Sequence, residues 1–497
     1  MSGFKKYGIG QGAAYIYIET IIGLLSGYVL WFILSRITTP EAIGVSSAII
    51  SFSAIFAGIA TIGVPYGISH FLGKSLSNQQ LEKKMFINTS ILIVASGIFA
   101  TSTIVYFIRE WINISLDLNL IILSILLIAT YSMTSLFRSI VIATLDTKRL
   151  PIITLVSSIT RTILAIVLVF SIMPGVGIII GYLSYQVVSC FFLAFIVMRV
   201  FGLGGKIYYL KFRETFKSII IASIPSWIPA LITSIGSGDL GIIIIFGSKG
   251  ASQAGSYFLA YAIYSAIAAV SYSLFTIAFP LLSGMVDGRK RLTWNLIKIS
   301  LIVSLPVSSS IIFYSYNITL LFGTAYTNAS LPLAVLLLSL LPNCIVIGVT
   351  TLSYSYGNFR QVLFLGLAAA VPRVILYFTL VGSYGTTGVA ISYSVGSVIA
   401  LVVSIIIAKK IGLIISWRDV LSVMTIPLGV SLCFVYFNIN YIVGIIASIG
   451  VSYVVFIKLE ILKRHEVENT LSLLPKSIGK PIIKIVSVLG TKINREY

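Results

Sequence analysis

The feature that most constrains this chain is a series of fourteen apolar runs, each long enough to cross a lipid bilayer as an α-helix. A bilayer core of about 30 Å needs about 20 apolar residues per helix, and a spanning backbone must satisfy its own hydrogen bonds because it meets no water there. Of the 497 residues, 58% are hydrophobic and 10% are charged, which excludes an ordinary soluble protein. The predicted spans are 12–35, 42–72, 86–108, 118–143, 152–172, 176–200, 218–246, 253–284, 292–314, 330–356, 361–383, 387–408, 420–437 and 441–459.

Lysine and arginine are unevenly distributed between the loops on the two sides of the membrane. If the N-terminus lies in the cytoplasm, only Arg36, Arg109 and Lys249 of the 34 basic residues fall in outer loops, whereas most of the others fall on the inner side. Multi-pass membrane proteins usually carry this excess of basic residues in their cytoplasmic loops. We therefore expect both termini in the cytoplasm, and the net charge of +20 requires no nucleic-acid partner.

A weak internal repeat aligns the two halves of the chain at an offset of about 211 residues. Gly44 aligns with Gly255 at an offset of 211 residues, and Arg161 aligns with Arg373 at an offset of 212. Because six spans return the chain to its starting side, the halves would share one orientation, as in many transporters. The repeat predicts an all-α membrane protein with two pseudo-symmetric six-helix bundles around a central cavity and two additional C-terminal helices. The predicted regions are an N-terminal bundle (1–200), a cytoplasmic linker (201–217), a C-terminal bundle (218–410), two appended helices (411–463) and a basic amphipathic cytoplasmic tail (464–497).

Five ionisable residues within the predicted spans are candidates for a functional site, because a charge there is costly and usually faces a cavity or a partner. They are Glu19, Arg138, Arg161, Asp239 and Arg373. A guanidinium suits phosphate oxygens bidentately, so arginines that line a cleft would favour an anionic substrate. Alternatively, Arg161 and Arg373 pair with Glu19 and Asp239 as struts between helices, or extend to the membrane surface. The two acids fit the roles of counter-ion and of coupling-ion ligand equally well.

Proline and glycine interrupt two of the predicted spans. Span seven contains Pro225, Pro229, Gly236 and Gly238 close to Asp239. Span two contains Pro65. A broken helix is tolerated in a membrane only against protein or water. These positions are therefore predicted hinges for alternating access, although a static kink would leave the same pattern.

The sequence contains no motif for catalysis, cofactor binding or metal binding. Its three cysteines lie within spans and its two histidines are isolated. It has neither a phosphate-binding loop nor an HExxH motif, and its largest loop, 201–217, has Glu214 as its only acid. We predict a protein that is not an enzyme and that needs no cofactor or metal.

Three short motifs resemble those of polysaccharide flippases. The stretch from Arg36 to Gly44 resembles the R-x-x-x-P-E-x-x-G motif between the first two spans of that family. Asp239 and the segment 253–257 are similar to its span-seven signature, with Leu240 in place of an arginine. Residues 383–390 resemble the YGxxGxA start of its span twelve. The chain thus resembles the flippase branch of the multidrug, oligosaccharidyl-lipid and polysaccharide exporter (MOP) superfamily.

This resemblance implies a flippase that moves a polyprenyl-(pyro)phosphate-linked oligosaccharide from the cytoplasmic to the outer leaflet of the cell membrane by alternating access, for cell-surface polysaccharide or glycoprotein synthesis. A central cationic cavity holds the phosphate head group in that family, which assigns substrate binding to Arg161, Arg373 and Arg138. It assigns gating, or coupling to H⁺ or Na⁺, to Glu19 and Asp239. The resemblance also implies membrane lipids as partners and a monomeric state.

Three other functions fit parts of the pattern. An ion-coupled drug or small-molecule exporter of the same superfamily should have an acidic lumen, whereas this chain has three arginines and two acids within its spans. A membrane glycosyltransferase or polymerase generally needs a sizeable catalytic loop outside the membrane. A purely structural protein needs no charge at mid-span. The flippase is therefore the main prediction, and the exporter is the alternative.

Overall fold

The computed structural model is α-helical throughout the residues that it describes, and no strand occurs among them. These residues are 9–74, 80–108, 118–144, 146–171, 173–201, 209–459 and 461. The predicted all-α class is thereby confirmed. The predicted basic tail (464–497) and residues 202–208 of the predicted linker lie outside the described residues.

The described residues form seventeen α-helices and two short 3₁₀ segments, Thr147–Arg149 and Thr324–Ala329. The α-helices are α1 (Ile9–Ile37), α2 (Pro40–Ala60), α3 (Val64–Lys74), α4 (Gln80–Ile108), α5 (Leu118–Ala143), α6 (Leu150–Ser171), α7 (Pro174–Phe201), α8 (Tyr209–Ile235), α9 (Gly238–Lys249), α10 (Ala251–Gly284), α11 (Arg289–Phe313), α12 (Ser315–Leu320), α13 (Ser330–Leu338), α14 (Leu340–Ser355), α15 (Phe359–Ile411), α16 (Trp417–Tyr436) and α17 (Tyr441–Lys458).

Twelve helices of the described residues are long and apolar enough to cross a membrane, or up to thirteen if a bent pair near α13 and α14 forms one span. The count differs from fourteen partly because the predicted spans 361–383 and 387–408 both fall in α15, which has 53 residues. A straight helix of that length would measure about 80 Å, far more than a bilayer core of about 30 Å. Its backbone leaves the helical conformation at Gly385, with φ 53° and ψ −130°. Fourteen spans therefore stay a prediction.

Predicted span two is divided between α2 and α3. Ile62 and Gly63 adopt positive φ angles of 48° and 69°. A Cβ on Gly63 would lie 2.3 Å from the Cβ of Trp227 in α8, so glycine alone fits there without displacing the indole. The Trp227 indole N–H donates a hydrogen bond of 2.9 Å to the carbonyl of Gly58. The predicted hinge residue Pro65 lies in the first turn of α3, directly after this break.

Predicted span seven is divided between α8 and α9. Pro225 and Pro229 lie inside α8, which continues past both to Ile235. The break falls at Gly236 and Ser237, and the Ser237 side chain caps the N-terminus of α9, where Gly238 is the first residue. The breaks therefore lie at or next to Gly236, Gly238 and Pro65, whereas the helix is unbroken at Pro225 and Pro229. Movement at all five positions stays a prediction.

The chain packs as two compact units, Met1–Phe258 and Leu259–Tyr497. In the first unit, α8 packs on α3 and α9 packs on α2. Residues from the start of the predicted C-terminal bundle therefore belong to the first unit by contact. In the second unit, the appended helices α16 and α17 pack on α11. The predicted domain boundaries stay a prediction.

Two of the quoted motifs meet within the first unit at a contact that we call the glycine crossing, formed by Gly44 of α2 and Gly255 of α10. A Cβ on Gly44 would lie 1.8 Å from the carbonyl oxygen of Ala251, and one on Gly255 would lie 2.0 Å from that of Pro40. No real side chain tolerates such distances, so the two backbones touch because both residues are glycine. Small residues allow this close approach of helices in membranes.

Glu41 joins the N-terminal ends of the same two helices. It lies in the first turn of α2, and its carboxylate interacts with its own backbone N–H and with the hydroxyls of Ser252 in α10 and Thr39. A negative charge is stabilised near helix N-termini by the unpaired backbone N–H groups there. The acid and the glycine of the P-E-x-x-G motif thus have one structural role, which is to hold two helix ends together.

Candidate functional site

Arg161 lies in α6 inside the first unit, with 6% of its surface exposed. Its guanidinium carbon is 5.0 Å and 5.1 Å from the ring centroids of Tyr182 and Tyr185 on α7. Its Nη2 donates a hydrogen bond of 3.1 Å to the hydroxyl of Ser26 on α1. Its Nε is buried and has no hydrogen-bond partner among the described residues. We call these four side chains the Arg161 site.

The electrostatics of the Arg161 site are those of a cation without a nearby counter-ion. None of the ion pairs found among the described residues involves Arg161. An unpartnered buried donor costs about 1–3 kcal/mol, and more when the group is charged. The aromatic faces offset part of this cost through cation–π attraction. An anionic oxygen beside Nε would offset the remainder.

Close packing of α6 on α7 brings the tyrosines to Arg161. A Cβ on Gly181 would lie 2.6 Å from the Cβ of Ala165, so the two helices approach closely at this point. On the α1 side, the Ser26 hydroxyl is fixed by the hydroxyl of Ser158, 2.9 Å away. Three helices therefore position the guanidinium.

Arg138 of α5 and Glu19 of α1 form a bidentate ion pair in the same unit. Nε and Nη2 of Arg138 lie 2.8 Å and 3.0 Å from the two carboxylate oxygens of Glu19. The exposed fraction of the side chain is 40% for Arg138 and 11% for Glu19. Tyr185 lies within electrostatic range of this pair and of Arg161. Glu19 is thus the counter-ion of Arg138 and forms no strut with Arg161.

We expect the Glu19–Arg138 pair to show asymmetric effects on stability. Arg138→Gln should lower the free energy of unfolding more than Glu19→Gln, because it leaves the more buried charge without a partner. The double variant should recover about 1–2 kcal/mol relative to the sum of the single variants. Denaturation of the four proteins in mixed micelles measures both quantities. Additive effects of the two substitutions would contradict the pairing.

Arg373 lies in α15 within the second unit and is also 6% exposed. Its Nη2 donates to the hydroxyl of Ser397 at 2.7 Å, and its Nε donates to the carbonyl of Tyr393 at 3.2 Å. Its guanidinium carbon lies 3.9 Å from the ring centroid of Tyr393. A Cβ on Gly396 would lie 2.3 Å from its Cγ, so that glycine makes room for the arginine. Arg373 therefore links the residues on either side of Gly385.

The two repeat-related arginines have similar surroundings, although they belong to different units. Each stacks on a tyrosine further along the chain, Arg161 on Tyr182 and Arg373 on Tyr393. Neither tyrosine is among the site residues predicted from the sequence. A signal was present, because Tyr182 and Tyr393 also align at the offset of 211. Pseudo-symmetry of the two bundles stays a prediction.

Asp239 lies in the first turn of α9 and is held by two serines. Its carboxylate oxygens accept hydrogen bonds of 3.1 Å from the hydroxyls of Ser51 and Ser237. No ion pair of Asp239 occurs among the described residues, so it is not a strut either. Within the same part of the chain, no group of three or more His, Cys, Asp or Glu side chains could hold a metal ion.

Numerous apolar helices and a few buried charges define a multi-pass helical membrane protein. The family model described as "Polysaccharide biosynthesis protein" matches residues 9–286, which is more than half of the chain. The chain therefore belongs to the polysaccharide biosynthesis protein family. A comparison with curated proteins found no match.

Three solved structures are similar in fold. The lipid II flippase MurJ, in an inward closed conformation, superposes with a TM-score of 0.71 at 16% identity, over 91% of this chain and 99% of that one. An inward-facing multidrug resistance MATE family transporter of the MOP superfamily superposes with a TM-score of 0.55 at 16% sequence identity, over 79% of this chain and 94% of that one. A MOP superfamily transporter from Pyrococcus furiosus superposes with a TM-score of 0.52 at 16% sequence identity, over 83% of this chain and 99% of that one. At these identities the likeness shows a shared fold. The family model confirms the resemblance stated from the motifs at the level of the polysaccharide biosynthesis family.

Proposed function

We propose that this protein is a flippase that moves a polyprenyl-(pyro)phosphate-linked oligosaccharide from the cytoplasmic to the outer leaflet of the cell membrane by alternating access, for cell-surface polysaccharide or glycoprotein synthesis. The observation that carries the proposal is the Arg161 site, where a buried guanidinium has neither an ion pair nor a hydrogen-bond partner for its Nε among the described residues. Membership of the polysaccharide biosynthesis family and the fold shared with a lipid II flippase support it.

In this proposal the head-group phosphate completes the coordination of Arg161. Guanidinium N–H groups match phosphate oxygens in geometry and charge. The neighbouring tyrosines exclude water and so strengthen the interaction. Arg373 is likewise assigned to the binding of head-group phosphate. Each arginine already has a serine and a tyrosine that fix its direction.

Arg138 takes part through exchange of its partner. Its guanidinium is occupied by Glu19, and a phosphate would compete with that carboxylate for the same N–H groups. Glu19 thereby acts as a gate that holds Arg138 while the substrate is absent. Asp239, with two serine hydroxyls beside its carboxylate, supplies the oxygen ligands that suit H⁺ or Na⁺ as the coupling ion.

The alternative is an ion-coupled drug or small-molecule exporter of the same superfamily. Asp239 favours this alternative, because it is an acid without an ion pair among the described residues. In the same unit, the charge of Glu19 is balanced by Arg138, whereas Arg161 has no ion pair among the described residues. This positive charge favours an anionic substrate instead. The flippase is therefore the better supported of the two functions.

Transbilayer movement in proteoliposomes tests the proposal. The purified protein is reconstituted with a polyprenyl-pyrophosphate-linked oligosaccharide, and an added glycosidase reports how much of it reaches the outside. We expect accessible saccharide to increase with time only in vesicles that contain the protein. If saccharide stays inaccessible while the same vesicles exchange a cationic drug against H⁺ or Na⁺, the exporter replaces the flippase.

A further inference from the structure

A groove in the second unit runs between the two halves of α15. The residues that line it come from 360–372 and from 403–410, and its volume is about 770 Å³. Arg360 and Lys410 lie 25 residues before and after Gly385. Because the chain reverses at this glycine, both cations lie at the same end of the groove. The other lining residues are Gln361 and a set of apolar side chains such as Phe364, Val371 and Ile406.

The charge in this groove is positive and uncompensated by its walls. Among the described residues, no carboxylate lines it, and Arg360 and Lys410 form no ion pair. The Arg360 guanidinium carbon lies 5.7 Å from the ring centroid of Phe364, so its side chain extends along the apolar wall. The groove thus presents two cations at one end and hydrocarbon along its length.

The length of the groove matches one leaflet of a bilayer. Eleven residues separate Arg360 from Val371, which corresponds to roughly 17 Å along a helix. Half of a hydrocarbon core of about 30 Å is about 15 Å. The basic end also lies on the side that the loop charges assign to the cytoplasm, where membranes expose anionic lipid. A molecule with one anionic head and one leaflet-long chain fits all three properties.

We propose that this groove binds one anionic phospholipid of the surrounding bilayer, with its phosphate between Arg360 and Lys410 and an acyl chain along the apolar walls. The chain's own C-terminal tail is a poorer occupant, because its basic residues would meet two further cations. The proposal is independent of the flippase function, since it concerns the lipid environment and neither Arg161 nor Arg373.

Native mass spectrometry of the detergent-purified full chain tests the proposal. The chain is titrated with phosphatidylglycerol or with phosphatidylcholine of the same acyl chains, and the fraction carrying one lipid is measured. We expect phosphatidylglycerol to bind at least about tenfold more tightly. Because each cation near a membrane surface contributes a factor of roughly five, Arg360→Gln with Lys410→Gln should weaken that binding about 25-fold.

Two further variants locate the lipid. Lys409→Gln with Arg418→Gln removes the same charge from exposed positions that do not line the groove, and we expect it to leave binding unchanged. Ala368→Phe fills the apolar wall while both cations remain, and we expect it to abolish the one-lipid adduct. Size-exclusion profiles confirm that each variant is folded.

Four results would overturn the proposal. The first is equal affinity for the two phospholipids, and the second is an equal loss of binding in the control double variant. The third is binding of polyprenyl phosphate by a wild-type chain that binds no phosphatidylglycerol, which would assign the groove to a polyprenyl carrier. The fourth is binding that occurs only after the chain is truncated beyond Ile461, which would place the tail in the groove.

Discussion

Replacing Arg161 with glutamine is expected to slow flipping of the lipid-linked oligosaccharide about 100-fold, which corresponds to about 2.7 kcal/mol. Glutamine keeps a planar donor of similar reach but removes the charge. A hydrogen bond to a charged group contributes about 1.5–3 kcal/mol, and the guanidinium is shielded from water by Tyr182 and Tyr185. The measurement is the initial rate at which saccharide becomes accessible to glycosidase in proteoliposomes.

Two other substitutions separate charge from geometry in that experiment. Arg161→Lys keeps the positive charge but loses the planar, two-pronged set of guanidinium donors, so we expect the flipping rate to fall about tenfold. Arg36→Gln removes the same charge from an exposed position at the end of α1, and we expect wild-type rates. A folded Arg161→Gln protein that flips at the wild-type rate would remove Arg161 from the substrate site, while leaving the function itself in place.

Replacing Gly44 with alanine is expected to lower the free energy of unfolding by about 3 kcal/mol, near the upper end of the range for overpacked contacts. The added methyl would lie 1.8 Å from the carbonyl oxygen of Ala251. That oxygen belongs to a helix backbone and cannot rotate away as a flexible side chain would, so α2 and α10 must separate. The measurement is the apparent unfolding temperature of the purified protein, which should fall by several degrees.

The same helix supplies a matched control for this prediction. Gly58 also lies in α2, and a Cβ placed there meets no atom within 4 Å. Gly58→Ala should therefore leave the unfolding temperature unchanged or raise it slightly, because alanine favours the helix. Gly255→Ala should behave like Gly44→Ala, because it adds a methyl to the other side of the glycine crossing. Equal unfolding temperatures for Gly44→Ala and Gly58→Ala would contradict the close contact.

The sequence predicted the helical class and the position of most spans, because long apolar runs have few alternatives in a membrane. It also singled out Arg161 and Arg373 by the cost of burying a charge. It could not identify the partner of Glu19, since Glu19 and Arg138 are separated by 119 residues and no local periodicity connects them. Hydropathy indicates which segments are removed from water, but it does not indicate which side chains contact one another in the folded protein.

The tyrosines, and the exact residue at which a helix breaks, were harder to predict for a different reason. Tyr182 and Tyr393 are aromatic residues in apolar helices, where packing against the core is the usual role. The sequence predicted a boundary between spans 361–383 and 387–408, but the break within it depends on one positive φ angle at Gly385, one of 40 glycines in the chain. Composition alone does not distinguish a glycine that reverses the chain from one that permits helix contact.

The ion pair between α1 and α5 has a consequence for biosynthesis. A ribosome that adds about 5–20 residues per second needs roughly 6–24 s to synthesise the intervening chain. During this interval α1 enters the membrane with Glu19 but without Arg138. The apolar segment Ala14–Ile37 must therefore retain α1 in the bilayer by its hydrophobicity until α5 is inserted. The first helix and the fifth can associate only after the nascent chain has already made the two spans predicted between them.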